Sequence, residues 1–180
     1  MDGLSHFWNQ GDAVGRAVAV LNGGFARWVA DQRPISTTPS PRVARSFTAA
    51  PRSAMIVTAA EVPGVTASAR LVDARAPERF RGDVEPLDPV AGHIPGALNR
   101  PFQGNLGPDG RFKAAEQLRA EYEQLLAGRD PASVVHHCGS GVSAVPNVLA
   151  MEVAGLGRTA LYAGSWSEWC SDPQRPVERG

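Results

Sequence analysis

This sequence has no long apolar run, a formal net charge of zero and two cysteines. No stretch approaches the ~18 consecutive apolar residues that a membrane-spanning helix needs, so no span is predicted. The 18 basic side chains are balanced by 18 acidic ones and are scattered, which argues against a nucleic-acid or membrane-surface partner. The first residues lack a basic segment followed by an apolar one, so we expect a cytoplasmic protein rather than a secreted one.

The sequence contains two cysteines, Cys138 and Cys170. In a reducing compartment they are not expected to form a structural disulfide, and Cys170 is predicted to be a packing residue of a helix. No cysteine and histidine have the spacing of a metal site with two further ligands behind them. The sequence therefore predicts neither a metal site nor a cofactor.

Cys138 stands between a short β-branched run and an apolar, glycine-bounded stretch, which predicts a strand, a tight loop and a helix. Glycines in such a loop let successive backbone N–H groups turn toward the sulfur, the serine hydroxyls can donate, and a helix start favours an anion. We therefore predict a stabilised, nucleophilic thiolate. The predicted loop, called the Cys138 loop below, consists of Cys138, Gly139, Ser140, Gly141, Val142 and Ser143.

Two other interpretations of Cys138 are weaker. Most unpaired intracellular cysteines are small buried hydrophobic residues, but packing alone explains neither the glycines nor the serines that follow. A phosphatase-type loop would need an arginine six positions after the cysteine to bind phosphate oxygens, and Ala144 stands there. A short, neutral loop suits one transferred sulfur atom better than a tetrahedral oxyanion.

Five motifs follow one another along the chain: Leu-Val-Asp-Ala-Arg at 71–75, Arg-Phe-Arg-Gly at 79–82, Gly-His-Ile-Pro-Gly-Ala at 92–97, the Cys138 loop, and Gly-Ser-Trp-Ser-Glu-Trp at 164–169. In these motifs and their order the chain resembles the rhodanese superfamily, and within it the two-domain thiosulfate and 3-mercaptopyruvate sulfurtransferases. The resemblance implies that residues 55–180 are the C-terminal, catalytic domain. It implies an α/β fold with a rhodanese-like, mainly parallel five-stranded sheet and helices on both faces.

The resemblance also implies roles for single residues. Arg79 corresponds to the substrate-binding arginine of the family, and its planar guanidinium suits a bidentate contact with the carboxylate or sulfonate of a sulfur donor. The alternative is that Arg79 belongs to a solvated charged face. Asp73 and Arg75 are predicted to hold their loop by hydrogen bonds, and His93 is predicted to be a structural histidine in a turn.

The implied activity is transfer of sulfur from a small anionic donor to cyanide or a thiol, through a persulfide on Cys138. The loop composition favours 3-mercaptopyruvate as donor, but Asp88 stands nine positions after Arg79, where those enzymes usually carry a second arginine. Thiosulfate therefore stays open. The alternative function is a non-catalytic binding or regulatory module, or a decayed fragment, because the sequence holds little of the N-terminal domain of two-domain members.

A short internal repeat predicts the domain organisation. Residues 15–35 parallel residues 157–177, and each copy has the pattern of a strand, a glycine turn, a short helix with an aromatic residue and a proline exit. Chance similarity is the alternative. We predict that residues 1–35 are the last βα unit of a preceding rhodanese-like domain, that 36–54 are a linker, and that 55–180 are the catalytic domain. The exposed aromatic residues of so small a unit favour packing on the catalytic domain or self-association.

Hydrophobic periodicity places the other elements. Because successive strand residues alternate faces, at most one of His136 and His137 is expected to approach the sulfur. Pro146 is expected to kink the helix after the loop slightly. Strands are predicted near 18–21, 55–57, 69–73, 97–98, 133–136 and 160–162, and helices near 58–62, 77–81, 112–127, 142–154 and 165–170.

Overall fold

One parallel sheet forms the centre of the protein. The structure is a computed structural model that describes residues 19–39, 44, 53–68 and 70–180. Its strands are β1 (Ile56–Val57), β2 (Arg70–Asp73), β3 (Leu98–Asn99), β4 (Val134–His137) and β5 (Ala160–Tyr162). They lie in the order β1-β5-β4-β2-β3, and each neighbouring pair is parallel.

The described ranges also contain six α-helices and three short 3-10 turns. None of the helices in this part of the chain is long and apolar enough to cross a membrane. The helices are α1 (Gly24–Ala30), α2 (Val62–Ser68), α3 (Pro77–Arg81), α4 (Ala115–Leu126), α5 (Val145–Val153) and α6 (Ser165–Ser171), and the 3-10 turns are Ser53–Met55, Phe102–Asn105 and Pro131–Ser133.

Alternation along the strands buries side chains on both faces of the sheet. Leu71 and Val135 pack in one cluster with residues of α2 and α6, whereas Val72 and Val134 pack in another with residues of α4 and α5. All four side chains are buried. Strands buried on both faces are typical of parallel sheets covered by helices on each side. The predicted α/β fold, with a mainly parallel five-stranded sheet and helices on both faces, is confirmed.

The register of the central strands brings two loops together at one edge of the sheet. Asp73 at the end of β2 lies opposite His137 at the end of β4. The next N–H along the chain, that of Ala74, donates to the carbonyl of His137 at 2.8 Å. Ligand sites of open parallel sheets lie at this carboxyl edge, so the register directs the segments after β2 and β4 to the same place.

One predicted helix is misplaced. The pattern predicts a helix near 58–62, but Val62 begins α2, which ends at Ser68. The cause is a turn before the helix, in which the N–H and hydroxyl of Thr58 both donate to the Glu61 carboxylate, at 2.8 and 2.6 Å. Pro63 then lies in the first turn of α2, where a helix needs no N–H donor.

The helix that follows the Cys138 loop is shorter than predicted. The prediction was 142–154, whereas α5 begins at Val145. Pro146 therefore lies in the first turn and removes no helix hydrogen bond, so the predicted kink has no cause. The other elements predicted between 55 and 170 lie within three residues of their observed bounds.

The N-terminal copy of the repeat is only partly described. Residues 19–21 form no strand, so the predicted strand at 18–21 is wrong in the part that the structure describes. No strand in the described ranges pairs with these residues, and a parallel strand is not stable without a neighbour. The helix of this copy is present as α1. Residues 1–18 and most of the predicted linker lie outside the described residues.

The two copies share a side-chain arrangement. The indole N–H of Trp28 donates to the carbonyl of Pro34, and that of Trp169 donates to the carbonyl of Pro176, both at 2.9 Å. An arginine lies over each indole ring, at 5.4 Å in the first copy and 5.3 Å in the second. These matched contacts support the predicted repeat, while the domain origin of residues 1–35 stays a prediction.

Helix α1 contributes nothing to the core. None of its residues is buried, and Phe25 is 65% exposed. Its segment contacts the rest of the protein through the Asn22 side chain, which accepts the N–H of Phe112 at 2.9 Å, and through an ion pair of Asp31 with Arg111 at 3.6 Å. Such surface contacts are worth little.

Deleting residues 1–40 should therefore leave a folded protein. We expect the free energy of unfolding to fall by no more than about 1–2 kcal/mol, because the described part of this segment, residues 19–39, makes one hydrogen bond and one exposed ion pair with the rest of the protein and holds no core side chain. Urea unfolding followed by circular dichroism measures this. A deletion variant that no longer unfolds cooperatively would show that the segment belongs to the catalytic unit and that the predicted domain boundary is wrong.

Candidate active site

Cys138 lies at the carboxyl end of the central strand β4, where the sequence placed it. Its side chain is 1% exposed and packs in a small apolar cluster with Ala74, Ala144, Val145 and Leu161. The cluster joins the ends of β2, β4 and β5 to the start of α5. Cys138 and Cys170 are both free thiols.

The backbone after Cys138 presents a run of unpaired N–H groups. From Gly139 to Ala144, six successive N–H groups make no hydrogen bond to any acceptor in the described part of the chain. The carbonyls at the start of the loop are occupied instead: that of Cys138 accepts the N–H of Trp166 at 3.0 Å, and that of Gly139 accepts the N–H of Ser167 at 2.9 Å. Successive free N–H groups with outward carbonyls form anion-binding concavities.

The side chains of the loop agree with this arrangement. Ser140 is exposed, and Val142 and Ser143 are half-buried. Neither serine hydroxyl has a hydrogen-bond partner among the residues described, so both are free to donate to a ligand as the sequence predicts. Their contact with a donor stays a prediction.

The two glycines of the loop differ in how much room each has for a side chain. Gly141 is buried with a φ of 80°, and a Cβ there would lie 2.4 Å from the carbonyl oxygen of Ala163. A Cβ on Gly139 would meet only Arg79, at 3.6 Å from Nη1 and 3.8 Å from Nη2, which is ordinary contact. Gly141 is thus required by the loop conformation, whereas Gly139 marks where the guanidinium approaches.

Ser165 holds the peptide of Cys138 in place. Its hydroxyl accepts the Cys138 N–H at 3.1 Å and donates to the Tyr162 carbonyl at 3.0 Å. The residue is fully buried and has a φ of 55°, which is uncommon for a residue other than glycine. This role was not predicted from the sequence, in which the available signal is the Gly-Ser pair at the start of a helix.

Arg79 lies beside the loop, but two carboxylates already bind it. Glu85 accepts from Nη2 at 2.5 Å and from Nε at 3.3 Å, and Asp88 accepts from Nη2 at 3.3 Å. Nη1, the nitrogen nearer to Gly139, has no acceptor in the described residues. The edge of the guanidinium needed for the predicted bidentate contact is therefore occupied, and a donor would meet Nη1 alone.

Glu85 remains charged in this position. Burial works to raise its pKa, but hydrogen bonds from Arg79 and from the N–H groups of Leu87 and Asp88 outweigh burial and hold the pKa below its ordinary value. The carboxylate therefore stays ionised near neutral pH and fixes the Arg79 guanidinium.

Arg75 connects this pair to the end of β2. Its guanidinium pairs with Asp73 at 2.7 Å and with Glu85 at 3.3 Å, and it donates to the carbonyl of Gly92 at 2.7 Å. The side chain is 2% exposed and lies 4.7 Å from the centre of the Trp166 ring. Both Asp73 and Arg75 thus make internal hydrogen bonds, in agreement with the structural role that the sequence predicts for them.

The histidines near the site are structural or neutral. The His93 Nδ1–H donates to the carbonyl of Phe80 at 2.8 Å, and the two rings stack at 3.7 Å.

Burial, helped by the charge of His137, lowers the pKa of His136 to about 3, so its imidazole is neutral at physiological pH. Burial also lowers the pKa of His137, whose Nδ1 lies 3.3 Å from the Cys138 carbonyl. The His136 side chain contacts Met151, and the His137 side chain contacts Asp73.

Cys170 belongs to the apolar core and not to the cluster around Cys138. Cys170 is 6% exposed and packs with Trp166 and Trp169, as predicted, and burial raises the pKa of its thiol. Over the residues that the structure describes, no group of three or more His, Cys, Asp or Glu side chains could hold a metal ion.

A parallel sheet covered by helices, whose central strand ends in a loop that begins with a cysteine and presents N–H groups unpaired in the described residues, defines a class of α/β domains. Residues 59–172 match the family described as Rhodanese-like domain, and the chain therefore belongs to that family. The recognition of this superfamily from sequence is confirmed.

Longer proteins of known name are similar to almost the whole chain. A Pseudomonas aeruginosa protein named "Probable 3-mercaptopyruvate sulfurtransferase" is 46% identical over 98% of the chain, and the thiosulfate sulfurtransferase of Rattus norvegicus is 35% identical over 92%. The chain spans about three fifths of the length of these curated relatives, 62% and 58%. A solved anaerobic ergothioneine biosynthesis enzyme from Chlorobium limicola shares the fold, with a TM-score of 0.85, 23% identity and coverage of 98% of this chain and 45% of that one.

Replacing Gly141 should damage the loop far more than replacing Gly139. Gly141→Ala forces a Cβ against the Ala163 carbonyl at a positive φ, so we expect the free energy of unfolding to fall by more than about 2 kcal/mol. Gly139→Ala is the matched control, with an expected loss below about 1 kcal/mol. Urea unfolding compares the two, and equal losses would contradict the geometry given for Gly141.

Ser165 offers a second test of the loop support. Ser165→Ala leaves the buried Cys138 N–H without an acceptor and should lower the free energy of unfolding by about 1–3 kcal/mol. Ser165→Gly also removes the hydroxyl but relieves the positive φ, so it should be more stable than the alanine variant by about 1 kcal/mol.

The control is Ser171→Ala at the other end of α6, where an exposed hydroxyl donates to the Glu168 carbonyl at 2.8 Å. The free energy of unfolding of this variant is expected to change by no more than about 0.5 kcal/mol. An alanine variant at 165 as stable as the unmodified protein would mean that the hydroxyl does not support Cys138.

Proposed function

We propose that the protein is a sulfurtransferase in which Cys138 carries the transferred sulfur as a persulfide. With thiosulfate, the Cys138 thiolate attacks the outer sulfur, the S–S bond of the donor breaks, and sulfite leaves with the bonding electrons. With 3-mercaptopyruvate, the Cys138 thiolate attacks the thiol sulfur, the C–S bond breaks, and pyruvate leaves as its enolate, which takes up the proton that the donor's thiol loses. Cyanide or a thiolate then attacks the outer sulfur of the persulfide and releases the Cys138 thiolate.

The observation that supports this reaction most directly is the run of six free N–H groups after Cys138. A thiolate and a persulfide are both anions, and fixed N–H dipoles stabilise such charge without reorganising during the reaction. A cysteine that served only in packing would leave these N–H groups without a purpose at the edge of a buried cluster.

Arg79 supplies the cation that an anionic donor needs at the same place. Its Nη1 has no acceptor among the residues that the structure describes and lies beside Gly139, the first residue after the nucleophile. In the proposed complex, Nη1 contacts the carboxylate or sulfonate of the donor, while Glu85 keeps the guanidinium oriented. The names of the relatives include both 3-mercaptopyruvate and thiosulfate sulfurtransferases, so they do not choose between the donors.

A second candidate function is a binding or regulatory module without turnover. The burial of the Cys138 side chain, 1% exposed, favours it, because a nucleophile must be reached by the donor. The two functions differ in one outcome, which is whether Cys138 accepts and then releases sulfur.

Mass spectrometry of the protein after incubation with each donor separates these functions. We expect one added sulfur atom on the peptide that contains Cys138 and none on the peptide that contains Cys170, followed by loss of that sulfur when cyanide is added. Cys138→Ser should abolish both steps. Cys170→Ala is the matched control and should keep them, since Cys170 is a packing residue. Sulfur found on Cys170 alone, or on neither cysteine, would reject the proposed reaction.

A further inference from the structure

Residues 83–91, called the Glu85 loop below, leave and re-enter the fold at nearly the same point. A Cβ on Gly82 would lie 3.1 Å from the backbone nitrogen of Gly92, so the chain before the loop contacts the chain after it. Both glycines have a positive φ, 81° at Gly82 and 126° at Gly92, which a side chain would strain. A compact surface loop of this kind is one unit, and its position is set where its two ends meet.

The Glu85 loop fixes the guanidinium of Arg79. Glu85 and Asp88 accept from Nη2 at 2.5 and 3.3 Å, so both carboxylates that bind Arg79 belong to this one loop. A shift of the loop would move both carboxylates together. The orientation of the guanidinium therefore depends on the contacts that keep the loop in place.

The inner side of the Glu85 loop is bonded to the core. Glu85 pairs with Arg75 at 3.3 Å, and the carbonyl of Val90 accepts the indole N–H of Trp166 at 3.0 Å. Leu87, on the outer side, is exposed and contributes little packing. The outer side of the base of the loop is closed by a different segment.

That segment is residues 176–180, called the strap below. Glu178 and His93 exchange backbone hydrogen bonds, at 2.8 and 3.0 Å, as neighbours in an antiparallel pair do. The N–H of Gly180 donates at 3.0 Å to the carbonyl of Arg81, the last residue of α3. The strap is thus bonded on both sides of the Glu85 loop, to the segment that enters it and to the segment that leaves it.

The strap lies directly on the two glycines at the base of the loop. A Cβ on Gly92 would collide with the carbonyl oxygen of Glu178, and one on Gly82 would lie 3.1 Å from Cγ of Arg179. The Arg179 Nε–H also donates to the carbonyl of Ala91 at 3.1 Å. The base of the loop has room for the strap only because neither glycine carries a side chain.

We propose that the strap is a positioning element for Arg79: it closes the base of the Glu85 loop, which keeps the carboxylates of that loop on the guanidinium and holds Nη1 toward the donor. The inference rests on the proposed function, because the donor contact of Arg79 belongs to that reaction. The Cys138 loop is held separately, by Ser165 and the start of α6. Loss of the strap should therefore weaken donor binding and leave the nucleophile as reactive as before.

Two substitutions of Glu178 in the full chain test this. Glu178→Pro removes the N–H that donates to the His93 carbonyl, so it breaks the pairing of the strap. Glu178→Ala is the matched control, because it keeps that N–H and removes only an exposed carboxylate, which accepts the N–H of Gly96 at 3.3 Å. The rate constant for addition of sulfur to Cys138 is measured by mass spectrometry over a range of donor concentrations.

With Glu178→Pro, we expect the donor concentration that gives half the maximal rate to rise about three- to tenfold, because donor binding must then order a guanidinium that the loop no longer fixes. The maximal rate, and the rate of alkylation of Cys138 by iodoacetamide, should change by less than about twofold, since the Cys138 loop is intact. Glu178→Ala should change the half-saturating concentration by less than about twofold.

Hydrogen exchange followed by mass spectrometry examines the Glu85 loop without any donor. The N–H groups of Leu87 and Asp88 donate to Oε1 of Glu85, at 3.1 and 3.2 Å, so they are protected only while the loop keeps its conformation. Glu178→Pro should speed exchange in peptides that cover the Glu85 loop and leave exchange in β4 unchanged. Glu178→Ala should change neither.

Two further variants separate positioning from general stability. All side chains of the strap are exposed, so a protein without residues 177–180 loses no core side chain and should show the same selective changes as Glu178→Pro. Leu126→Ala removes a buried side chain from the cluster of α4 and α5. It should lower the unfolding midpoint without raising the half-saturating donor concentration.

The proposal is overturned if Glu178→Pro changes neither the donor dependence nor the exchange of the Glu85 loop, or if Glu178→Ala or Leu126→Ala raises the half-saturating concentration equally. A protein without residues 177–180 that does not fold would overturn it too, because the strap would then be part of the fold. Faster exchange of the Glu85 loop in a protein that accepts sulfur from neither donor would uphold the hold of the strap on this loop and reject the proposed function instead.

Discussion

The candidate site depends on how the start of α6 holds the peptide between Cys138 and Gly139. The N–H groups of Trp166 and Ser167 occupy the two carbonyls of this segment, and the Ser165 hydroxyl occupies the N–H of Cys138. Without these bonds the two carbonyls would need other donors, and N–H groups three or four positions further along the loop could donate to them only by forming another helical turn. The contact between α6 and the loop is therefore what leaves the N–H groups from Gly139 onward free for an anion.

The buried ion pairs position the other half of the site. Charges inside a protein cost desolvation energy, and their attraction offsets it only when geometry and hydrogen bonds are good. Arg75 meets that condition, because it pairs with Asp73 and Glu85, donates to a carbonyl and stacks on Trp166. Asp73 ends β2 and Glu85 orients Arg79, so Arg75 links the sheet to the guanidinium that is proposed to bind the donor. Replacing Arg75 with an apolar residue would leave the buried Asp73 carboxylate without a guanidinium partner and Glu85 with Arg79 alone.

The sequence was sufficient for the parts of the structure that depend on local pattern. The alternation of strands and helices predicts the parallel sheet, and the Cys138 loop is predicted from its glycines and its place after a β-branched strand. Boundaries failed where a proline or a capping side chain decided them, as at Pro63, Pro146 and Thr58. Contacts between distant segments were not predictable, because Ser165 is 27 positions from Cys138 and no spacing rule links them.

The two halves of the site differ in how easily a substitution can change them. The loop is constrained on every side: Gly141 has no room for a Cβ, Ser165 is buried at a positive φ, and the carbonyls are occupied. Glu85 constrains one edge of the Arg79 guanidinium. The remaining partner of Arg79, Asp88, lies on a partly exposed turn beside Leu87, whose side chain is 77% exposed. In the proposed reaction the loop stabilises the sulfur whichever donor supplied it, whereas Arg79 meets only the donor. A substitution in the turn at 85–89 would then change the contacts of Arg79 with the donor and leave the loop that carries the sulfur as it is.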